Sequence, residues 1–109
     1  MDDASQERIA RNEALFREVN ERIRDVAGRF GADEYEFVCE CANPDCVARI
    51  PVELVEYERI RADGRRFLVV RSHEVPAVER VVAEGDRFVV VEKIDEAAEI
   101  ADDLDPRSD

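Results

Sequence analysis

Between Ser5 and about Gly28 the apolar positions Ile9, Phe16, Val19, Ile23, Val26 and Phe30 recur at spacings of 7, 3, 4, 3 and 4. That is helical periodicity, an a/d heptad stripe with Asn12 in its one polar seam position. Ser5 is placed to cap the helix, the interior has neither Gly nor Pro, and Gly28 or Gly31 can end it in a left-handed turn. The stripe has two uses. It can lie on a sheet or core, or it can pair with a second copy or another protein, a polar seam residue then fixing register. On the second reading Ile9, Phe16 and Val19 are the partner-binding residues.

The pattern then changes to period two. Tyr35 to Cys41 alternates and predicts a strand, on which Cys39 and Cys41 share one face. Ala42-Asn43-Pro44-Asp45 is turn chemistry that folds the chain back and brings Cys46 beside the first two thiols, with backbone N–H groups available to the sulfurs. Ala48 to Val52 is a short extended stretch, and Glu53 to Arg61 a helix that ends before Gly64. Arg66 to Arg71 is a buried strand that delivers His73. Ala77 to Ala83 and Arg87 to Lys93 flank Glu84-Gly85-Asp86 as a hairpin, and Val89-Val90-Val91 is apolar throughout, as in a strand covered on both faces. The expected architecture is α+β: a long N-terminal helix on a small, mostly antiparallel sheet with a zinc-knuckle loop. Residues 1–94 form one domain. Residues 95–109 form an acidic C-terminal segment, a short helix through Ala97, Ala98, Ile100 and Ala101 that frays by Asp105-Pro106.

Charge narrows the functions. A net charge of −12 argues against nucleic-acid binding, which relies on neutralising phosphates with Lys and Arg. It is unevenly spread: residues 94–109 hold seven acids against Arg107 alone, whereas residues 1–30 hold six arginines against seven acids. Fifteen of the sixteen basic residues are Arg and only Lys93 is Lys. No run of 18 apolar residues predicts a membrane span, and the acidic Met1–Glu7 start is the reverse of a secretory leader. The expected compartment is cytoplasmic, where clustered thiols stay reduced and hold metal more often than they form disulfides.

The chemistry sits in one place. The chain's three cysteines, Cys39, Cys41 and Cys46, fall within eight residues, and His73 is its one histidine. Three thiolates and one imidazole complete a tetrahedral structural zinc site, with Zn2+ as the expected cofactor. Should His73 not be the fourth ligand, Asp45, Glu74 or water is next. A closed site leaves no position for a water nucleophile. Glu40 or Glu74 is the only general base in reach of a hydrolytic alternative, and no second histidine follows His73-Glu74. With no serine–histidine–acid grouping and no Gly-rich phosphate loop, the chain reads as a non-enzymatic interaction or regulatory module. A thiol/zinc redox switch is the alternative.

Phe37-Val38-Cys39-Glu40-Cys41, then Cys46, Arg49-Ile50, Glu56-Tyr57-Glu58, His73-Glu74 and Val89 to Lys93 resemble a family of small uncharacterised bacterial proteins, over about Asn12 to Pro106. The resemblance implies the C-x-C-x4-C…H pattern and no activity. One departure is Arg71-Ser72, where a Pro-Gly turn is expected before the His-Glu pair.

Overall fold

A computed structural model describes residues 3–107. In chain order the elements are α1 (Asp3–Arg29), β1 (Glu34–Val38), β2 (Arg49–Glu53), α2 (Leu54–Arg61), β3 (Arg66–Val70), β4 (Glu79–Glu84), β5 (Phe88–Lys93) and α3 (Asp95–Asp103). The class is α+β, as the periodicity predicts. No described helix is long and apolar enough to cross a membrane.

The apolar run Val89-Val90-Val91 is buried throughout, because β5 is the middle strand of the antiparallel sheet β3-β5-β4. Leu68 faces Val90 on one side and Val81 faces Val91 on the other. The β4–β5 hairpin closes at Gly85, whose N–H donates to the Phe88 carbonyl at 2.9 Å. A Cβ on Gly85 would meet the Phe88 ring at 2.4 Å, so the turn excludes larger residues.

The expected strand from Tyr35 to Cys41 divides. β1 ends at Val38 after pairing antiparallel with β2, Phe37 opposite Ile50. The Cys39 N–H still bonds to Ala48 at 3.1 Å, but the Glu40 N–H bonds at 2.7 Å to Leu68 of β3. Successive N–H groups of an extended chain point to opposite sides, so one residue after the other can serve two different neighbours. The Cys-Glu-Cys step is therefore the seam between the two sheets.

Helix α1 begins at Asp3, so Ser5 lies inside it and does not cap it. It ends at Gly31, left-handed at φ 67, with the Ala32 N–H bonded to Ala27 and the Gly31 N–H to Gly28. This paired closure needs the conformational freedom of glycine. The face α1 buries is not the heptad stripe: Ala10, Glu13, Arg17, Asn20 and Ala27 are buried, while Ile9 and Phe16 are half-buried and Val19 is exposed. Of the expected stripe, Ile23 packs on the core and Val26 and Phe30 face outward. Polar residues win the inward face because each meets a partner there. The Arg17 guanidinium donates to the carbonyls of Gly64 (2.6 Å) and Ala101 (3.1 Å) and lies 4.2 Å over the Phe67 ring. Glu13 pairs with Lys93, which also pairs with Glu79. Asn20 donates to the Val38 carbonyl and accepts from its N–H, both at 2.8 Å, completing a strand edge with a helix side chain.

Helix α2 buries Tyr57 and Ile60; α3 buries Ala97, Ala98 and Ala101. The segment after α3 is tied down as far as it is described. Asp105 pairs with Arg61, and Arg107 bridges Glu21 and Glu58, so no fraying is seen at these two residues. The rest of the anticipated loose end, residues 108 and 109, lies outside the described residues.

Candidate metal centre

Three side chains from one eight-residue stretch and a fourth from 27 residues further on converge where the two sheets meet. Cys39 and Cys41 lie just past the end of β1, and Cys46 follows the loop. His73 stands three residues after β3. One ligand atom from each of Cys39, Cys41, Cys46 and His73 lies within 4.8 Å of all the others, an arrangement that could hold a metal ion. The His73 Nδ1 is 3.5 Å from the Cys39 sulfur and 3.7 Å from the Cys46 sulfur. Neither Asp45 nor Glu74 belongs to this group.

Local structure explains the convergence. Asn43 organises the loop twice: its side-chain oxygen accepts from the Asp45 N–H at 3.0 Å, and its carbonyl from the Cys46 N–H at 3.1 Å. This is an Asx turn that reverses the chain between Cys41 and Cys46. Asn12 of α1 holds the same loop from outside, donating to the Ala42 carbonyl at 3.1 Å. The polar seam position of the heptad stripe is thus spent on the loop. His73 is aimed by a tight turn: its N–H bonds back to Val70 at 2.9 Å, and Ser72 takes a left-handed φ of 81. That is the place where Pro-Gly is expected and Arg71-Ser72 stands.

The Asn43 backbone contacts the Cys41 sulfur and opposes the rise that burial gives its thiol, while the Asp45 and Cys46 N–H groups are used on Asn43. The Val70 N–H of β3 donates to the Cys39 sulfur at 3.2 Å. Burial pushes the Cys39 and Cys41 thiols up, and for Cys39 the Val70 N–H opposes the rise. Both cysteines are almost wholly buried, whereas Cys46 is half-buried, so the cluster lies at the edge of the core with one side toward solvent.

Glu40 faces away from the sulfurs, as alternation between Cys39 and Cys41 requires. It is entirely buried and fully used: Oε1 accepts from the Leu68 N–H (2.9 Å), and Oε2 from Asn20 Nδ2 (2.8 Å) and the Tyr57 hydroxyl (2.9 Å). Burial raises its pKa, and these donors oppose the rise. Tyr57 is held in turn by stacking on Phe37, ring centres 4.3 Å apart. One carboxylate between two cysteines therefore joins α1, α2 and β3 to the cluster. Sequence reasoning treats Glu40 as a candidate base; the alternation that turns it away from the sulfurs was legible, its three partners were not.

No protein-family model matches the chain, and neither a curated protein nor a solved structure is found to match it.

Proposed function

We propose that Cys39, Cys41, Cys46 and His73 bind one zinc ion in a closed structural site, and that the protein is a non-enzymatic interaction or regulatory module built on it. The observation that carries this reading is the mutual reach of the four donors. A tetrahedral zinc with arms of about 2.3 Å to sulfur and about 2.0–2.1 Å to nitrogen has sulfur–nitrogen edges of roughly 3.5–3.6 Å. The distances from His73 Nδ1 to Cys39 and Cys46, 3.5 and 3.7 Å, fit that edge. Three thiolates and an imidazole are the donor set that favours zinc over hard cations. The Val70 N–H on the Cys39 sulfur is the outer hydrogen bond that such ligands normally carry.

The non-catalytic reading rests on the same residues. Four protein ligands fill a tetrahedral ion and leave no position for water. Of the two candidate bases, Glu40 is committed to Asn20, Tyr57 and Leu68 and is not free to act. Glu74 has a buried carboxylate oxygen without a partner among the described residues, but it lies outside the donor group. Zinc here would fasten the loop and the His73 turn across the junction between the sheets.

Elemental analysis with native mass spectrometry of wild type, Cys41→Ser and His73→Ala tests the assignment. One zinc per chain, lost or weakened in both variants, is expected. A folded wild-type protein prepared without chelator and carrying no metal would overturn it. Peroxide treatment then separates a structural site from a switch: zinc released at modest oxidant and regained with thiol reductant would make the site a switch.

A further inference from the structure

The outer face of α1 carries an apolar stripe that the fold leaves uncovered. Leu15 is 60% exposed, Val19 38%, Val26 39% and Phe30 82%. Their spacings of 4, 7 and 4 place them within about 60° of one another around a 3.6-residue helix. The opposite side of α1 carries the buried Glu13, Arg17 and Asn20. Large apolar side chains aligned on a solvent-facing helix mark an interaction surface when they form a continuous stripe.

Charge selects the occupant. The protein as a whole carries −12, yet α1 from Asp3 to Arg29 has six arginines against six acids. All of the net negative charge therefore lies outside α1. The rest of the chain carries the whole excess of acid, whereas α1 can meet α1 without a net charge on either helix.

We propose that the protein forms a two-fold dimer in which α1 packs antiparallel on α1 of a second copy, about an axis passing between Arg22 and Ile23. In that register Leu15 meets Phe30 of the second copy and Val19 meets its Val26, and the two-fold repeats both contacts. The pairing is self-complementary, as a two-fold interface must be. It also sets the helix dipoles head to tail. Glu18, Arg22, Asp25 and Arg29 are exposed along one flank of the stripe. The two-fold brings Arg29 toward Glu18 of the second copy, offset by two residues or about 3 Å along the axis, and sets the two copies of Arg22 side by side, each with Asp25 of the other copy at the same two-residue offset. An arginine side chain spans that offset. Asp25 already accepts from Arg24 at 3.1 Å, while Glu18, Arg22 and Arg29 have no ion pair among the described residues. This surface lies on the helix away from Cys39, Cys41, Cys46 and His73, so the dimer stands whether or not the metal assignment does.

Sedimentation velocity on the purified full chain, from low micromolar to several hundred micromolar, reads the dimer directly, and zinc content measured on the same samples keeps the two proposals separable. A concentration-dependent dimer is expected. Leu15→Glu and Val26→Glu each place a charge in the apolar contact and should weaken it at least about tenfold with an unchanged melting profile. Glu18→Arg alone and Arg29→Glu alone should weaken it about two- to fivefold, and the double reversal should restore it. A monomer at every concentration would overturn the proposal and leave the stripe to a different protein. A dimer indifferent to Leu15→Glu would place the interface elsewhere and overturn it too. A double reversal that fails to restore association would refute the antiparallel register.

Discussion

Two of the buried polar clusters in this fold solve one problem in opposite ways. Cys39, Cys41, Cys46 and His73 gather donors that a bound cation would satisfy, at the seam between the sheets. Glu13, Glu79 and Lys93, between α1 and the β4–β5 hairpin, gather two carboxylates around a cation the chain supplies itself. That cation is the chain's one lysine among fifteen arginines. Its compact ammonium sits between the two carboxylates and 5.6 Å over the Phe67 ring. The metal cluster draws three of its donors from eight consecutive residues; the lysine cluster draws its members from positions 13, 79 and 93. The first leaves a local signature in the sequence and the second leaves none, although both fasten distant elements together.

Removing either cation tests the parallel, and the metal should matter more. Structural zinc contributes an apparent ~10–16 kcal/mol in zinc-finger peptides, comparable to the whole stability of a small domain at ~5–15 kcal/mol. Chelator at neutral pH should therefore abolish the cooperative melting transition of the zinc-loaded protein, followed by circular dichroism. A transition that survives complete zinc removal would show that the junction holds without its metal. Lys93→Ala strips the second cluster of its cation, leaving buried Glu13 without its ion pair and Glu79 with the Val75 N–H as its one donor among the described residues. Urea denaturation should show a loss of about 3–5 kcal/mol, a loss under 1 kcal/mol contradicting the account.

The carboxylates also set a pH dependence. Burial, reinforced by the neighbouring Glu79 and opposed by Lys93, pushes Glu13 up from 4.5 to about 8. The folded protein thus holds a proton that the unfolded chain releases. The stability this gives is present at low pH and is lost as pH rises from the ordinary carboxylate range through 8. Glu58 and Asp105 work the other way. Arg107 and Arg24 hold Glu58 below its usual value, and Arg61 holds Asp105 below its own despite partial burial, so their contribution is lost on acidification. Glu13→Gln removes the Glu13 contribution, so relative to wild type the variant should gain stability as pH rises from 5 to 8. A variant whose stability tracks wild type over that range would count against a proton held on Glu13. The smallest effect belongs to the turn that aims His73. Ser72 sits at φ 81, where a Cβ costs about 1–2 kcal/mol, so Ser72→Gly should stabilise by roughly 1 kcal/mol in the same urea assay.

How much of this was legible follows from where each signal resides. The metal cluster was readable because the chain holds no spare thiol or imidazole, and the loop between the cysteines is turn chemistry. The β4–β5 hairpin was readable because Glu84-Gly85-Asp86 interrupts two apolar runs and Val89 to Val91 needs cover on both faces. The inward face of α1 was not. Glu13, Arg17 and Asn20 look like solvent positions until the Gly64 and Ala101 carbonyls, Lys93 and the backbone of Val38 are in place, and Arg17 and Ala101 are 84 residues apart. The apolar residues displaced from that face, Val19, Val26 and Phe30, point outward instead. The end of β1 was hidden for a related reason: apart from Val38 the alternation runs on from Tyr35 to Cys41, and only the arrival of Leu68 beside Glu40 changes the hydrogen-bonding neighbour.

The most direct test of the central claim is X-ray absorption at the zinc edge on the purified full chain. Three sulfurs at about 2.3 Å and one nitrogen at about 2.0–2.1 Å, with the nitrogen lost in His73→Ala, is the predicted result. A shell of oxygens, or of sulfurs without nitrogen, would contradict the closure of the site by His73.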